Sequence, residues 1–213
     1  MRILALSDVE LPAIYNSRIR ERFSHVDIVI SCGDLSFEYL DFIVSMLDVP
    51  LYYVNGNHTN AISMPDGSSR SEPWGAFNLH CKTMHNARHH LLMAGLQGCL
   101  RYKNGPNQYT QCQYWFLVLG LVPKLIWNKL RYGRFLDIFV SHAAPWGIQD
   151  DTDPAHRGIR AFRWLIKTFR PALHLHGHIH LYMPTQPRET QLPGTRVINA
   201  YGYREISFTP DRD

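Results

Sequence analysis

The sequence has few cysteines, and none of them has the spacing of a zinc ribbon or of a redox-active pair. The four are Cys32, Cys81, Cys99 and Cys112. Cys32 and Cys99 lie in apolar segments, where a thiol packs as a small hydrophobic side chain. Because free thiols of this kind favour a reducing compartment, the sequence predicts a cytoplasmic protein.

Long hydrophobic runs are also missing. At the start of the sequence an uninterrupted run of only four apolar residues, Ile3–Leu6, precedes Ser7 and Asp8, too short for the hydrophobic region of a signal peptide. The longest apolar stretch, Tyr114–Trp127, is interrupted by Pro123 and Lys124 and is too short to cross a membrane. Both features agree with the cytoplasmic prediction.

Charge is not concentrated anywhere in the sequence. The net charge is +4, and no two lysines or arginines are consecutive. A mildly basic chain of this kind suits an anionic substrate at least as well as nucleic acid, and a nuclease would be expected to have a concentrated basic region. An ordinary solvated surface would show the same pattern, so charge alone does not decide the binding partner, and no specific nucleic-acid or membrane partner is inferred. With 213 residues, of which 45% are hydrophobic, the sequence predicts one domain over residues 1–213.

Five short apolar segments are each followed by residues that can bind a metal. Such nearly continuous apolar runs are typical of strands buried on both faces. The segments are Ile3–Leu6, Asp27–Ile30, Leu51–Val54, Ile138–Val140 and Leu173–Leu175. Helical patterns at Ile14–Phe23 and Phe37–Leu47 separate the first three, which indicates an α/β sheet.

The polar residues at the five strand ends form a candidate site, because ligands in α/β sheets bind beyond the carboxyl ends of the strands. They are Asp8, Asp34, Asn57, His58, His142, His178 and His180. Each alone has an ordinary explanation: Asp8 can begin a loop, Asp34 can stand in a turn, and Asn57 can cap a helix. Five independent strand ends that all offer oxygen or imidazole ligands are much harder to explain in this way.

The last of these segments, LHLHGHIH at Leu173–His180, is the most distinctive. Gly177 allows a sharp turn, after which His178 and His180 can point to two neighbouring positions. The alternative is a histidine-rich strand whose side chains only hydrogen-bond their neighbours.

The middle of the sequence is less regular. Asn60–Ser71 is predicted to be an exposed loop, and His89–Ala94 with Gly95–Tyr102 is predicted to form a hairpin whose turn is at Asn104–Pro106. Tyr109–Arg131 is predicted to be one long helix that can bend at Pro123. Its aromatic residues are assigned to the core. They are Tyr114, Trp115, Phe116 and Trp127.

The remaining histidines and acids are less informative. His80, His85, His89 and His90 are assigned to surface and loop positions. A polar loop follows His142 and precedes a predicted helix at Ile159–Phe169. Its ionisable residues either face the substrate or cap that helix. They are Asp150, Asp151, Asp153 and His156. Two further strands are predicted at Thr195–Asn199 and Glu205–Phe208.

Oxygen and imidazole ligands favour Mn, Fe, Zn or Ni over metals bound by thiolates. Six such ligands exceed the needs of one tetrahedral site, and a shared carboxylate can bridge two ions. The six are Asp8, Asp34, Asn57, His142, His178 and His180. His58, next to Asn57 but outside this set, can then protonate a leaving oxygen.

These motifs resemble the calcineurin-like metallophosphoesterase superfamily. That superfamily has, in order, Asp-x-His, Gly-Asp, Gly-Asn-His followed by an acid, His, and Gly-His-x-His. The corresponding residues are Asp8-Val9-Glu10, Gly33-Asp34, Gly56-Asn57-His58-Thr59, His142 and Gly177-His178-Ile179-His180. The match spans residues 8 to 180, in the same order and with the same strand context.

The resemblance implies an α/β fold, a four-layer α/β/β/α sandwich of two packed mixed sheets. It implies a site for two divalent metal ions, with Asp34 bridging them. Asp8 and His180 complete the first site, and the other three ligands form the second. Those three are Asn57, His142 and His178. His58 is implied to be the acid that meets the substrate.

Two positions depart from the superfamily pattern. Glu10 stands in place of a histidine ligand of the first metal. Either its carboxylate binds and favours Mn, Fe or even Mg, or it misses the metal and leaves the first site weak. Thr59 replaces the acid that would orient His58.

The expected activity is hydrolysis of a phosphoester by a metal-activated water, with phosphodiesters preferred over phosphomonoesters. The alternative is a catalytically weak interaction scaffold of the same fold, but the presence of His58 and of all three downstream histidines argues against it.

Overall fold

The computed structural model describes residues 1–59, 61–63, 66–183 and 185–210. Within these ranges the helices are α1 (Ile19–Phe23), α2 (Phe37–Leu47), α3 (Gln111–Tyr132) and α4 (Arg160–Phe169). The strands are β1 (Arg2–Ser7), β2 (Ile28–Ser31), β3 (Leu51–Tyr53), β4 (Ile62–Ser63), β5 (Ser69–Arg70), β6 (Ala76–Asn78), β7 (Thr83–Asn86), β8 (Leu91–Leu96), β9 (Cys99–Leu100), β10 (Gln108–Tyr109), β11 (Ile138–Ser141), β12 (Leu173–His176), β13 (Glu189–Leu192), β14 (Thr195–Asn199) and β15 (Gly202–Ser207).

Two large mixed sheets dominate the fold. The first has the strand order β15-β1-β2-β3-β6, in which only the pair of β15 and β1 is antiparallel. The second has the order β13-β14-β12-β11-β8-β7, and its antiparallel pairs are the outermost ones, β13 with β14 and β7 with β8. Parallel strands therefore form the centre of both sheets, where the carboxyl ends of several strands lie at one edge.

The alternation of side chains along β1 shows how the layers are stacked. Ile3 and Ala5 point into a core shared by both sheets, where they are buried with Ile30 of β2 and Val140 of β11. Leu4 and Leu6 point the other way, because successive side chains of a strand face opposite sides of the sheet. Both faces of the strand are thus apolar, as the continuous run predicts.

Helices cover the outer faces of both sheets. On the first sheet Leu4 and Leu6 pack with Phe23 of α1 and Leu40 of α2. On the second sheet Phe139 packs against Phe162 of α4, with ring centroids 5.3 Å apart, in a cluster that also contains residues of α3. The architecture is the four-layer α/β/β/α sandwich, and the predicted fold class is confirmed.

Local sequence explains where the helices begin and end. The Ser36 hydroxyl accepts a hydrogen bond from the Tyr39 N–H at 3.2 Å and starts α2 where predicted. Thr110 and Gln113 form a reciprocal capping box at the start of α3, and Gly133 ends this helix with a φ of 78°. Pro123 lies inside α3, which continues past it. The first predicted helix forms only in its last part, as α1.

The predicted hairpin at His89–Tyr102 is wrong. β8 pairs with β7 before it and with β11, while β9 and β10 run parallel to each other on the two sides of the predicted turn. The reason is burial: all six residues of β8 are buried, so this strand belongs inside the large sheet and not to a peripheral hairpin. The turn residues Asn104–Pro106 instead lie in the connection between β9 and β10.

Two other predictions hold only in part. The predicted loop Asn60–Ser71 contains the short strands β4 and β5, and its residues 60, 64 and 65 lie outside the described part of the chain. The aromatic residues of α3 are only partly in the core. Tyr114 is buried, but Phe116 and Trp127 are exposed, so their assignment to the core is wrong.

In the described ranges, none of the helices has the length and apolar character needed to cross a membrane.

Candidate metal centre

The candidate ligands come together because both sheets end at the same place. Asp8 and Asp34 follow the neighbouring strands β1 and β2, and Asn57 follows β3. From the second sheet, His142 follows β11, and His178 follows its neighbour β12. The hydrophobic core between the sheets thus ends in a polar cluster.

The backbone turns sharply at three of these positions. Asp8, Asp34 and His178 have φ values of 66°, 54° and 67°. These lie in the left-handed region of backbone conformation, which residues other than glycine rarely adopt. Such strain persists only where surrounding structure imposes it, and it concentrates at functional sites. At Asp8 the backbone N–H donates to the Gly33 carbonyl at 3.1 Å, and this ties the two strand ends together.

His142 is the centre of the cluster. Its Nδ1 donates a hydrogen bond to the Cys32 carbonyl at 2.8 Å, so this nitrogen must carry a proton. The opposite nitrogen, Nε2, lies 3.1 Å from Asn57 Oδ1 and 3.2 Å from Asp34 Oδ2. Both oxygens are acceptors, so either a second proton on the imidazole or a cation must lie among these three atoms.

The pKa values of His142 and Asp34 reflect the same need for positive charge between them. Burial alone would lower the pKa of His142, but the charges of Asp34 and Asp8 raise it to about 9. Burial alone would raise the pKa of Asp34, but His142 and the His58 N–H bring it to about 2. A divalent cation at this position would replace the proton of His142 and satisfy the same oxygens.

His178 is neutral and aimed at the same cluster. Its Nε2 donates to the Ala155 carbonyl at 2.8 Å, which leaves the lone pair on Nδ1. Burial, reinforced by the charge of His142, lowers the pKa of His178 to about 3. Ligand atoms of Asp34, His142 and His178 all lie within 4.8 Å of one another. A carboxylate and two imidazoles with fixed outer hydrogen bonds fit a divalent transition metal.

Asn57 is oriented by a residue that the sequence pattern did not indicate. Its Nδ2 donates to the Tyr102 hydroxyl at 3.3 Å, which turns Oδ1 towards His142. The amide oxygen is therefore held beside the group of Asp34, His142 and His178. No motif pointed to Tyr102, which is 45 residues away in sequence.

Asp8 and His180 form a second, more open group. The Asp8 carboxylate accepts the His178 N–H, with distances of 3.1 and 3.0 Å to its two oxygens, and it lies 3.7 Å from His180 Nε2. Burial opposes the ionisation of Asp8, but His180 and His142 hold its pKa below the usual value. His180 is partly exposed, and its Nδ1 is 2.7 Å from the Tyr182 hydroxyl. Its ring also lies against Tyr201.

The LHLHGHIH segment combines both interpretations offered by the sequence. Before Gly177, His174 is hydrogen-bonded to Ser141 and His176 to Gln149, each at 2.8 Å, and both rings are buried. After Gly177, His178 and His180 turn to the cluster. The first two histidines are structural, and the last two are the candidates for metal binding.

His58 occupies a different position from the ligands. Its backbone N–H donates to Asp34 Oδ1 at 2.8 Å, while its exposed side chain lines a pocket of about 280 Å³ beside Asp34. The Thr59 hydroxyl accepts the Gly56 N–H at 3.1 Å and so closes the turn. Thr59 thus has a structural contact of its own at the position where the superfamily has an acid.

Glu10 points to the start of α2. Its Oε1 accepts the Ser36 N–H at 3.0 Å, and the residue is exposed. Within the described ranges, the group of mutually close ligand atoms contains Asp34, His142 and His178 but not Glu10. One carboxylate oxygen of Glu10 is therefore used by the backbone, and ligation would fall to the other.

The acidic loop after His142 contacts the site through its backbone and through His156, since the Ala155 carbonyl accepts the hydrogen bond from His178. His156 is 2.8 Å from Asp153, and its ring lies 5.0 Å from that of His178. The acids do not cap α4, whose N-cap Ile159 has no side-chain hydrogen bond. They instead accept backbone N–H groups of the loop, as Asp150 does from Gly158 at 3.1 Å.

Close packing requires glycine at two positions in the site. A Cβ atom on Gly56 would overlap the Asp34 carboxylate and lie 2.7 Å from the Asp34 backbone nitrogen. A Cβ on Gly177 would lie 2.6 Å from Asp8 Oδ2 and overlap the Ser7 hydroxyl. These two glycines let the backbone approach both carboxylates.

Replacing Gly56 by alanine is expected to displace Asp34, lower bound metal and cost about 1–3 kcal/mol of stability, as overpacking does. Elemental analysis and thermal unfolding of Gly56→Ala measure both effects. Gly120→Ala is the matched control, because nothing lies within 4 Å of the added Cβ in this helical position. It should gain about 1 kcal/mol from helix propensity. Unchanged metal content in Gly56→Ala would contradict the role of Asp34 as a metal ligand.

Comparison with known proteins agrees with the fold and the motifs. A family model described as calcineurin-like phosphoesterase matches residues 1–182. No curated protein matches the chain significantly in sequence.

Solved structures show the same fold at low identity. TT1561 of Thermus thermophilus has 16% identity and a TM-score of 0.59, and the match covers 94% of this chain and 89% of that one. GAP50, described as the anchor in the inner membrane complex of Plasmodium, has 14% identity and a TM-score of 0.50, with 93% and 70% covered. At such low identity these similarities show the fold alone.

Proposed function

Because the chain belongs to the calcineurin-like phosphoesterase family, we propose that it hydrolyses a phosphodiester with two divalent metal ions. Family membership supports phosphoester hydrolysis in general. The number of ions, the preference for diesters and the residue roles are parts of the proposal, and each has its own test below.

The observation that carries the proposal is the arrangement around His142 Nε2. This nitrogen faces the oxygens of Asn57 and Asp34 at 3.1 and 3.2 Å, while its other nitrogen is held by a carbonyl. In a histidine with a purely structural role, Nε2 would face one hydrogen-bond partner, which is a donor if the nitrogen is unprotonated and an acceptor if it is protonated. With a cation in place of the second proton of His142, the side chains of His142, Asn57 and Asp34 would all present acceptors to one point, as ligands of a cation do.

The proposed ligands divide between two ions. Asn57, His142 and His178 would hold one ion. Asp8, His180 and the second carboxylate oxygen of Glu10 would hold the other, and Asp34 would contact both. Two bound divalent ions supply charge stabilisation for a phosphoryl group and lower the pKa of water. The chain itself fixes the ligand side chains through Cys32, Tyr102 and Ala155.

His58 is the proposed general acid. Its backbone is tied to Asp34 by the 2.8 Å hydrogen bond, and its imidazole lines the pocket where a substrate would lie next to the metals. A histidine in this position can give a proton to the leaving oxygen as the ester bond breaks. It acts on the substrate and not as a ligand.

The lining of this pocket supports a diester substrate. It contains Leu35, Phe37 and Ile62 beside the acidic Asp34 and Glu38, and no lysine or arginine belongs to the described lining. A phosphomonoester carries up to two negative charges near neutral pH, whereas a diester carries one and has a second organic group. A lining with apolar and acidic side chains and no added cation therefore suits the singly charged diester better.

Hydrolysis of bis-(4-nitrophenyl) phosphate and 4-nitrophenyl phosphate by metal-replete protein tests the substrate class, because both release the same leaving group. The diester is expected to react faster. A faster monoester reaction would contradict the diester preference while leaving the phosphoesterase proposal in place. Failure with a broad phosphoester panel would favour the scaffold alternative.

One observation favours that alternative. The Glu10 carboxylate, where the superfamily has a ligand histidine, contacts the Ser36 N–H, and His180 is partly exposed. A first site without Glu10 would have fewer ligands than the second. A protein that filled only the second site would be a weak catalyst and could serve as a metal-binding scaffold.

Glu10→Gln separates ligation from capping, because glutamine keeps an oxygen for the Ser36 N–H but loses the carboxylate. We expect metal content to fall towards one ion per chain in this variant. Glu10→His should remain active and shift the metal preference towards zinc. Elemental analysis after loading with Mn²⁺ or Zn²⁺ measures both effects. Unchanged metal content in Glu10→Gln would mean that Glu10 binds no metal and only accepts the Ser36 N–H at the start of α2.

A further inference from the structure

The outer face of α3 is apolar although it is exposed to solvent. Trp127 and Leu130 are 64% and 76% exposed, and Phe116 is 70% exposed. The exposed apolar face, as we call it, consists of Phe116, Leu119, Pro123, Ile126, Trp127 and Leu130. Monomeric proteins rarely expose large contiguous apolar patches unless the patch binds something.

Helical geometry places these six residues on one side. At 3.6 residues per turn they fall within an arc of about 100°. The opposite side of α3 packs into the core through Tyr114, Val118, Leu121 and Leu125. A surface helix normally has polar residues on the side away from the core, so α3 has an apolar solvent face where a polar one is expected.

The charged residues of α3 and of the neighbouring helix α4 are all basic. Helix α3 has three basic residues and no acidic residue, although the whole chain has 18 aspartates and glutamates. Lys124 and Arg131 border the apolar arc on one side, and Lys129 lies beyond its other side. The neighbouring helix α4 also contains only basic charges, among them the exposed Arg163 and Lys167. The helical layer over the second sheet is therefore cationic.

We propose that the exposed apolar face of α3 docks onto a membrane surface that contains anionic lipids. An apolar stripe with aromatic and leucine side chains, bordered by lysine and arginine, is the pattern of helices that lie in the membrane interface. The apolar side chains enter the acyl boundary, and the cations contact the phosphate groups. The helix lies on the bilayer and does not cross it.

The charge pattern argues against a second copy of this chain as the occupant. In a symmetric dimer through α3, the same patch on both copies would be in contact. Lys124 and Arg131 of one copy would then face cations of the other, without acids on α3 to compensate. An anionic lipid surface complements both the apolar arc and the cations at its border.

Vesicle co-sedimentation tests the proposal. The wild type is expected to bind vesicles of phosphatidylcholine mixed with phosphatidylglycerol and to bind pure phosphatidylcholine vesicles more weakly. Trp127→Gln should reduce binding to the mixed vesicles about tenfold, the effect of no longer burying one large apolar side chain. Trp74→Gln is the matched control, because Trp74 is 63% exposed on another part of the surface, and it should bind like the wild type.

The electrostatic part has its own variant. Arg131→Glu should weaken binding to the mixed vesicles by about fivefold or more, since each basic residue near the surface contributes about this factor. Neither Trp127→Gln nor Arg131→Glu should change phosphoester hydrolysis in solution, so the proposal stands or falls independently of the catalytic one. Wild-type protein that binds neither vesicle, or equal binding by Trp127→Gln, would overturn it. So would a wild-type dimer in light scattering that Trp127→Gln dissociates without any vesicle binding.

Discussion

Asp34→Asn is expected to lose both metals and to lower phosphoester hydrolysis about 10³-fold or more. The variant keeps the size of the side chain and an oxygen for the His58 N–H, which lies 2.8 Å from Asp34 Oδ1. It replaces the charge at Oδ2 by an amide that can donate to His142 Nε2 at the present 3.2 Å separation. The fold is therefore preserved while the proposed bridging ligand disappears.

Elemental analysis and hydrolysis of a phosphodiester measure the effect of Asp34→Asn. Asp66→Asn is the control, because Asp66 is exposed and its carboxylate accepts hydrogen bonds from the neighbouring Ser68. His180→Ala should deplete mainly the first site, since His180 is proposed to contact one ion. Two metals per chain in Asp34→Asn would show that Asp34 does not bridge.

His58→Ala is expected to slow hydrolysis of an ester with a poor leaving group by about 10²–10⁴-fold, the usual contribution of general acid catalysis. With a nitrophenolate leaving group the loss should be much smaller, because that group needs little protonation. Metal content should stay at the wild-type value, since the side chain of His58 is outside the proposed ligand set.

His25→Ala is the control for His58→Ala. His25 is exposed, and its Nε2 lies 2.7 Å from the Glu205 carboxylate. Neither residue belongs to the proposed ligand set. His25→Ala should leave both rates unchanged. An equal loss for both leaving groups in His58→Ala would mean that His58 positions the phosphate and is not the acid.

The central part of the fold could be predicted because its signal is local. Short apolar runs predicted the parallel strands around β1 and β11, and the Ser36 cap explains why α2 starts where its pattern predicted. Sheet partners could not be predicted in the same way. The hairpin prediction failed because the turn residues at Asn104–Pro106 give no information about the distant strands β7 and β11 that pair with β8.

The candidate site could also be predicted only in part from the sequence. Ligand candidates were found because each follows a strand, so that topology alone brings Asp34, His142 and His178 together. The groups that orient them were missed. Tyr102 acts through a hydroxyl far away in sequence, and Ala155 acts through a backbone carbonyl, which no residue type reveals.

The apolar residues of α3 show a different limit. Phe116 and Trp127 were assigned to the core because apolar residues are usually buried, yet both are exposed. Periodicity gives the sides of a helix, but it cannot tell which side meets the sheet when both are apolar.

The most direct test of the metal-dependent phosphoesterase is one titration on wild-type protein. Protein purified without chelator is assayed for bound metal and for hydrolysis of bis-(4-nitrophenyl) phosphate, before and after removal of metal and during stepwise return of Mn²⁺. The account predicts that activity disappears with the metal and returns as two equivalents per chain are bound. Activity that persists in metal-free protein, or the absence of hydrolysis with both sites filled, would contradict it.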